Sequence, residues 1–518
     1  MVNGLGVFWP AQVAEVALAD GSKFLGQIIR SAVNPDTGES SIQFKTGNRE
    51  QDPQRQDFRW IKDDAIRAIT NPTEVCVLER VENGDFYGYT KGVAGPDLAL
   101  SSELPAGATV AGALDSIRRK SAEELGPIAA ELYTLGNQFQ DTRDKLLRLC
   151  YRRDRLLADP GSNGNANQTD LDRQIAELQA SSQRIKEQSD RLVSQQQQRL
   201  ANLRRNVVIM ANATGKETPV ALADIVRFYN PNAMGFLAKC WHYMGKLGEL
   251  LWENPRESNT EGGLFPAIFG TVMLIFLMAV TCFPLGVLAG IYLGEYAKEG
   301  FLVRLVRIAV NNLAGIPSIV YGIFGLGFFV YGIGGLLDQW FFPERVAAGT
   351  PTFGTGGILW ASLTLGLLTV PVVIVSTEEA LRAIPRATRE GSYALGATKL
   401  QTLVRVLVPM ASPGMMTGFI LAMARAAGEV APLMITGVVK LAPQMPIDGA
   451  FPFFHLDRKF MHLGFHIYDV GFQSPNVEAS KPMVFVTTLL LLVIVLAMTS
   501  VAICLRNRMR RRYQVRTI

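Results

Sequence analysis

Apolar residues fill five long runs in the C-terminal half of the chain. The runs cover about residues 265–293, 304–335, 357–376, 413–436 and 483–505. A helix needs about 20 apolar residues to cross the roughly 30 Å hydrocarbon core of a bilayer. Buried helices of a soluble core would not give so many long runs with so few charges inside them. The pattern therefore predicts an α-helical polytopic membrane domain over residues 263–505.

The N-terminal half instead carries short stretches in which apolar and polar residues alternate. Residues 14–18 and 24–29 flank Asp20-Gly21, and residues 75–81 and 86–89 flank Asn83-Gly84. Turns of the Asp-Gly and Asn-Gly type between such stretches predict β-hairpins. Residues 1–262 are therefore predicted to form an extramembrane β-domain.

A different pattern interrupts this domain between about residues 111 and 206. The segment is charged and rich in Gln, and Leu or Ile recurs every three or four residues. This spacing predicts two helices paired as an antiparallel coiled-coil hairpin, with its turn at Asp159–Gly164. The hairpin would be an insertion in the β-domain. It would serve either as a docking arm for a periplasmic partner or as a stabilising spacer, and the sequence leaves both readings open.

Composition narrows the kinds of site that the chain could carry. Hydrophobic residues make up 48% of the sequence and its formal net charge is +5, so membrane lipid is an expected partner and nucleic acid is not. The five cysteines are scattered, with no CxxC or Cys/His spacing, which favours neither a disulfide framework nor a metal site. His462 and His466 lie one helical turn apart, a spacing that could ligate a metal, but no Glu or Cys completes a ligand set. A polar loop is therefore the favoured interpretation, with a metal site as the alternative.

Basic residues set the predicted orientation. Six arginines lie between Arg506 and Arg516, after the last apolar run, which predicts a basic cytoplasmic tail over 506–518. Counting back through the runs places the loop 378–410 in the cytoplasm and residues 437–482 outside. Residues 1–262 would then be periplasmic, in a multi-pass protein of the bacterial cytoplasmic (inner) membrane.

This orientation raises a question about the N-terminus. Residues 1–262 can lie outside only if something anchors or exports them, yet the first 30 residues resemble neither a signal peptide nor a transmembrane helix. The segment Leu5–Pro10 has the aromatic character of the outer end of a membrane helix. We therefore expect a further N-terminal helix, and six spans, in the intact protein.

Ionisable residues inside the apolar runs are the first candidates for function, because each is costly there unless it is paired or faces water. Arg425 and Glu429 stand four residues apart, on one face of a helix, and can pair. They form either a structural ion pair or part of a substrate path, since a guanidinium presents several donors to phosphate-like oxygens. Glu378, at the inner end of the third run, is a third candidate for that path.

The loop 378–410 is polar and helix-forming although it lies between two apolar runs. It contains Glu390–Gly396 and, after a spacer, Val406–Pro409. We interpret it as a cytoplasmic docking loop. The candidate coupling residues are Arg386, Glu390, Gly391, Ser392, Gly396, Ala397, Lys399 and Pro409.

The spacing in this loop resembles the "EAA" loop of ATP-binding cassette (ABC) importer permeases. Four segments together resemble the PstA-type permease subunit of the bacterial phosphate ABC importer, and the resemblance covers about residues 264–505. These segments are residues 314–322, 377–385, 393–399 and 425–433. The resemblance implies a type I ABC importer permease fold and a phosphate path shared with a PstC-type permease. It also implies a PstB-type ATPase dimer on the inner loops and a PstS-type phosphate-binding protein.

The chain itself has no G-x-x-x-x-G-K-[ST] motif, so we expect it to be a permease and not an enzyme. It would bind no cofactor, and ATP and Mg would be bound by the partner ATPase. Several positions depart from the family pattern. Gly391 and Ser392 replace two alanines, and Val375 stands where the family often has an Arg.

Three other functions stay open at this level. The chain could be an ABC permease for another oxyanion, a secondary transporter or a membrane-anchored scaffold. A secondary transporter would need its own coupling-ion site and would work without an ATPase. The docking loop argues against a secondary transporter. A scaffold would need a signalling domain inside, where only a short basic tail is available.

Overall fold

The computed structural model of the protein describes residues 2–33, 40–48, 58–97, 106–158, 165–256, 259–449, 451, 453–474 and 477–513. The chain divides into two compact units. The β unit comprises Val2–Gly263 with Ser474–Met483, and the helical unit comprises Leu264–Gln473 with Val484–Ile518. The short segment Ser474–Met483, which the sequence assigns only to an outer loop, thus belongs to the β unit.

The β unit begins with the short helix α1 (Val2–Gly6) and contains two five-stranded antiparallel sheets. The first sheet has the order β4-β3-β2-β1-β5, and its strands are β1 (Ala14–Leu18), β2 (Lys23–Val33), β3 (Ser40–Lys45), β4 (Phe58–Lys62) and β5 (Ile66–Thr70). The second has the order β10-β6-β7-β8-β9, and its strands are β6 (Cys76–Arg80), β7 (Phe86–Ala94), β8 (Val207–Ala211), β9 (Glu217–Ala221) and β10 (Ile225–Tyr229).

Both predicted hairpins are present. Strands β1 and β2 pair across Asp20-Gly21, where Gly21 has a φ of +86°. Strands β6 and β7 pair across Asn83-Gly84, and these two residues have φ values of +68° and +66°. Positive φ at both central residues is what a type I′ turn requires, and Asn and Gly tolerate it best. The prediction of a β-domain is confirmed at these turns.

The two long helices are inserted in the chain between two neighbouring strands of the second sheet. Strands β7 and β8 pair with each other, with Ala94 opposite Val207. Between them lie α2 (Ala106–Ala158) and α3 (Asn165–Leu203), which pack against each other. Val110 and Leu114, near the start of α2, are buried in the core of the sheet. The turn predicted at 159–164 lies outside the described residues, and coiled-coil packing stays a prediction.

The β unit closes with α4 (Phe236–Trp252) and a two-stranded ribbon of β11 (Pro255–Arg256) and β12 (Glu261–Gly262). The helical unit follows. Its helices are α5 (Phe265–Ile291), α6 (Phe301–Leu313), α7 (Ser318–Phe324), α8 (Gly335–Phe341), α9 (Pro343–Ala347), α10 (Ile358–Arg382), α11 (Arg386–Ala394), α12 (Lys399–Thr402), α13 (Val408–Gly428), α14 (Ala431–Thr436), α15 (Leu463–Phe472) and α16 (Val477–Tyr513).

Wider, π-helical turns join several of these helices into longer ones. They extend α5 to Tyr296, link α7 to α8, and link α12 to α13. In the described part of the chain, five helices are then long and apolar enough to cross a bilayer, the number that the sequence predicts. They are Phe265–Tyr296, Ser318–Phe341, Ile358–Arg382, Lys399–Gly428 and Ser480–Arg511.

The predicted bounds of two runs are wrong. The run 304–335 is not one helix, because α6 ends at Leu313 and α7 begins only at Ser318. Pro317 has no N–H to donate and disfavours helical geometry at the residue before it, which explains the break. The run 413–436 is likewise divided after Gly428, where Glu429 and Val430 separate α13 from α14. The last helix, α16, continues beyond residue 505 into the predicted tail.

Helix α10 lies at the centre of the helical unit. It packs against α5 and α13, and most of its length is buried, whereas few residues of α16 are buried. Small residues allow the close approach. A Cβ atom on Gly290 of α5 would lie 2.6 Å from Thr377 Cβ, and one on Gly418 of α13 would lie 2.5 Å from Ser376 Cβ. Without a hydrophobic driving force between helices in lipid, such close packing is a main source of stability.

We expect Gly290→Ala to destabilise the helical unit by about 1–3 kcal/mol, since the new methyl group would overlap Thr377 and the Ile374 carbonyl. Gly294→Ala is the matched control one turn further along, because its nearest heavy atom is 3.6 Å away. Thermal unfolding followed by gel filtration in detergent measures both. Equal melting temperatures for the two variants would contradict the packing described here.

Candidate functional site

The register of α10 and α13 fixes where the candidate residues lie along the bundle. The two helices are antiparallel, with Gly414 facing Ala380 and Gly418 facing Ser376. The end of α10 that leads into α11 is called the loop end below. Arg425 lies seven residues beyond Gly418, away from the loop end. Glu378 is therefore about nine residues, or about 13 Å along the helix axis, from Arg425.

Arg425 and Glu429 form the pair that the sequence predicts, but a loose one. Arg425 Nε lies 3.7 Å from Glu429 Oε1, and Arg425 Nη2 lies 3.5 Å from the carbonyl oxygen of Ala314. Both distances exceed those of ordinary hydrogen bonds. A guanidinium has five N–H donors in a planar fork, so weak partners leave it able to take an additional acceptor. Both side chains are partly exposed.

The acceptor on Ala314 belongs to the break between α6 and α7. In the same break, the hydroxyl of Tyr321 donates to the carbonyl oxygen of Leu313 at 2.6 Å. Helix α7 also packs on α14, where a Cβ on Gly322 would lie 2.7 Å from Pro432 Cα. The segments 314–322 and 425–433, far apart in sequence, therefore meet in space. We call this group the break site, and its members are Leu313, Ala314, Tyr321, Arg425 and Glu429.

Glu378 lies elsewhere and has other partners. Its Oε1 is 2.8 Å from Arg307 Nη2 and 2.6 Å from Arg382 Nη2. Glu378 is almost fully buried, and a buried carboxylate is tolerated when it is paired in this way. The interaction with Arg307 ties α6 to the loop end of α10. The structure does not bring Glu378 together with Arg425 and Glu429.

The predicted docking loop forms two short helices joined by a tight turn. Gly396 has a φ of +84°, in the region that favours glycine, and lies in the turn between α11 and α12. A capping box between Thr398 and Gln401 then starts α12. Ser392 Oγ lies 2.9 Å from Thr402 Oγ1 and joins the two helices. Leu395, just before the turn, has 90% of its surface exposed.

A charged cluster holds this loop against the end of the first span. Arg389 Nη2 lies 2.8 Å from Glu295 Oε1 and also donates to the carbonyl of Leu381. Lys399 Nζ donates to the carbonyl oxygen of Glu295 at 2.6 Å and lies over the ring of Tyr296. We call Glu295, Arg389 and Lys399 the Glu295 latch. It fixes both α11 and α12 to the π-helical turn that extends α5 to Tyr296.

The other predicted coupling residues are distributed around this latch. Arg386, Glu390 and Gly391 are exposed on α11, which buries none of its residues. Ser392 and Ala397 are partly buried. Pro409 lies in the first turn of α13, which follows α12 in the chain.

Sequence reasoning missed Glu295, Leu395 and the contacts of Tyr321. Glu295 could have been noticed as an acidic residue at the end of an apolar run, facing a basic loop. The exposure of Leu395 and the partner of Tyr321 depend on contacts that no local pattern carries.

The two neighbouring histidines have structural surroundings. His462 Nδ1 accepts a hydrogen bond from Gly464 N at 3.1 Å and caps α15, and burial lowers the pKa of His462 to about 4. His466 Nδ1 lies 3.4 Å from Thr487 Oγ1. Both are buried, so the prediction of a polar loop is wrong here. Across the described residues, no group of three or more His, Cys, Asp or Glu side chains could hold a metal ion.

Comparisons with known proteins agree with this architecture. Residues 286–511 match the family of binding-protein-dependent transport system inner membrane components. The chain is 34% identical over 242 residues to the probable phosphate transport system permease protein PstA of Methanocaldococcus jannaschii, covering 46% of this chain and 74% of that protein.

Two further relatives have similar levels of identity. The probable ABC transporter permease protein YqgH of Bacillus subtilis is 32% identical over 264 residues, which cover 51% of this chain and 80% of that protein. The phosphate transport system permease protein PstA 1 of Mycobacterium tuberculosis is 36% identical over 174 residues, which cover 34% of this chain and 51% of that protein. Because 74% of a PstA protein is matched at 34% identity, the chain belongs to the PstA-type permeases of the binding-protein-dependent transport systems.

Proposed function

We propose that this chain is a transmembrane subunit of an ATP-driven importer of inorganic phosphate in the bacterial inner membrane. It would form the translocation path with a PstC-type permease and receive phosphate from a PstS-type binding protein. A PstB-type ATPase dimer, which binds ATP and Mg, would dock on the loop 378–410. Membership of the PstA-type permeases and the five apolar helices support this proposal.

The break site is the observation that carries the transport part of the proposal. A guanidinium held only by long contacts, beside a broken helix, can offer its donors to the oxygens of a passing oxyanion. Glu429 would offset the charge of Arg425 when no anion is present. Such a pair need not be desolvated completely, since both side chains are partly exposed. We assign Arg425 and Glu429 to the path, and we assign Glu378 to the anchoring of α6, because its two arginine partners already neutralise it.

The coupling part of the proposal follows from helix continuity. Residues Lys399–Gly428 form one continuous helix, from the Glu295 latch at one end to Arg425 near the other. The distance along its axis from Lys399 to Arg425 is about 39 Å. A displacement of the docking loop by the ATPase would therefore reach the break site through a single element. The exposed Leu395 and the exposed face of α11 would contact the ATPase.

The orientation is also part of the proposal. The β unit would be periplasmic, with the docking loop and the C-terminal arginines in the cytoplasm. The basic residues at the C-terminal end of α16, among them Arg506 and Arg508, support this orientation.

We expect Arg425→Gln to lower the initial rate of phosphate uptake about ten-fold or more, since a hydrogen bond to a charged group contributes about 1.5–3 kcal/mol. Labelled phosphate uptake measures this, in cells that lack their own high-affinity system and express this chain with its three proposed partners. Arg508→Gln is the control, because it removes an exposed arginine outside the path.

Uptake that survives Arg425→Gln, in a complex that still assembles, would remove Arg425 from the path. Wild-type uptake that needs no ATPase would contradict the whole proposal. Uptake that unlabelled sulfate suppresses as well as phosphate does would identify a permease for another oxyanion.

We expect Gly396→Asp to abolish ATP-driven uptake while the chain remains folded. No heavy atom lies within 4 Å of a Cβ at this position, so the internal cost is backbone strain of about 1 kcal/mol. The new carboxylate would, however, lie in the surface that meets the ATPase. Gly391→Ala is the matched control, since it also has open space around it and an ordinary φ. Stimulation of ATPase activity by the purified permease complex should be lost in the first variant and kept in the second.

The Glu295 latch gives a further test. Glu295→Gln and Arg389→Gln should each reduce the amount of phosphate imported per ATP hydrolysed, and the double variant should be little worse than the worse single one. Residues that act through one contact show coupling of about 0.5–3 kcal/mol in such a cycle. Arg405→Gln, at an exposed position of the same loop, should combine additively with Glu295→Gln. Additive effects for Arg389 would contradict a role for the latch in coupling.

A further inference from the structure

Helix α4 of the β unit presents an exposed apolar face. Leu237 and Trp241 each have 83% of their surface exposed, and Met244 has 61%. These three residues follow one another at helical spacings of four and three, and Leu251 and Trp252 continue the same face about two turns further on. A contiguous apolar face of this size on a helix marks a surface that something covers.

The opposite face of α4 fixes its orientation. Lys246 Nζ lies 2.5 Å from Glu79 Oε2 on β6, and Glu249 Oε2 lies 3.0 Å from Arg227 Nη2 on β10. Glu249 also pairs with Arg256. These buried ion pairs hold the polar face of α4 on the second sheet. The apolar face must therefore point away from the β unit.

The C-terminal end of α4 contacts Gly263, the last residue of the β unit before the helical unit begins. The amide of Gly263 donates to the carbonyl of Asn254 at 3.0 Å, and a Cβ on Gly263 would lie 2.1 Å from the carbonyl oxygen of Glu253. Strands β11 and β12 lie between Asn254 and Gly263, and their pairing brings these two residues together. The helix that crosses the membrane begins at Phe265, two residues after Gly263. The end of α4 thus contacts a residue that lies two positions before the membrane-crossing helix in the chain.

The other end of α4 carries more aromatic side chains. Trp9 lies against Phe236 and Tyr243, with ring centroids 6.0 and 5.9 Å apart. Trp9 belongs to the N-terminal segment 5–10, whose composition is typical of a membrane surface. Tryptophan and tyrosine favour the level of the lipid headgroups, because one end of each ring system is apolar and the other is polar.

We propose that α4 is an interfacial helix, whose apolar face lies in the lipid headgroup region of the membrane that the helical unit crosses. Such helices lie in the plane of the interface, with the apolar face about 5–10 Å into the boundary with the acyl chains. The covering surface is lipid, because the chain itself connects the end of α4 to the boundary of the bilayer. Only the membrane location of the spans is needed for this inference, so it does not depend on phosphate as the substrate.

The test places an environment-sensitive fluorophore on Met244→Cys, in the full chain with its five native cysteines replaced, within the assembled complex. The complex is reconstituted in bilayers of phosphatidylethanolamine and phosphatidylglycerol that contain a spin-labelled lipid as quencher. Lys216→Cys, exposed on the β unit near the start of β9, is the matched control. We expect quenching by lipid at position 244 to be at least about three-fold that at position 216, as for a residue inserted in the interface.

A water-soluble quencher separates the remaining outcomes. Strong quenching by iodide at position 244, with no quenching by lipid, would overturn the proposal, since the face would then be in water. Protection from both quenchers would also overturn it, because a protein surface would then cover α4. Trp241→Glu should lower lipid quenching at position 244 at least about two-fold, whereas Trp241→Leu should not, since only the charge opposes insertion. Lipid quenching can be measured whether or not the complex imports phosphate.

Discussion

Inside a bilayer, every backbone N–H and C=O group must find its partner within the protein, and the helical unit is organised by this constraint. Continuous helices satisfy it without help, whereas a break leaves carbonyl groups without their helical donors. The break between α6 and α7 does so at Leu313 and Ala314. Tyr321 donates to the first of these carbonyls, and Arg425 approaches the second. The residue that we assign to the substrate path is therefore also part of what makes the broken helix tolerable.

This double role explains how the guanidinium of Arg425 can be tolerated inside the helical unit and still have donors left for a ligand. A buried guanidinium with no acceptor would be strongly destabilising, and one with ideal partners would have no donors left for a ligand. Arg425 lies between these limits, with two long contacts and partial exposure. Glu378 is the contrasting case. It has two close arginine partners and almost no exposure, which suits it to hold α6 against α10.

The two ends of the helical unit are joined by stiff elements. Helix α10 is packed between α5 and α13 through glycine contacts that leave little room for sliding. The helix from Lys399 to Gly428 starts in the Glu295 latch and ends beside the break site. A displacement of α11 and α12 would therefore be transmitted to α5 through the contacts of Glu295. It would be transmitted to α13 directly, because α12 and α13 are parts of one continuous helix. The helices are interrupted around Ala314–Pro317, between α6 and α7, and at Glu429–Val430, between α13 and α14.

The sequence by itself determined the features that depend on neighbouring residues. The number of spans follows from run length and hydrophobicity, and the hairpin turns follow from Asp20-Gly21 and Asn83-Gly84. The separation of four residues predicts that Arg425 and Glu429 meet, although α13 ends at Gly428 and Glu429 is not on the helix. Only the tertiary structure decided which residues meet across the bundle. That Glu378 binds Arg307, that Glu295 holds Arg389, and that Arg425 reaches the break at Ala314 all depend on helix packing and on where the runs are interrupted. No local pattern specifies such contacts, because their energy arises between segments that lie many residues apart.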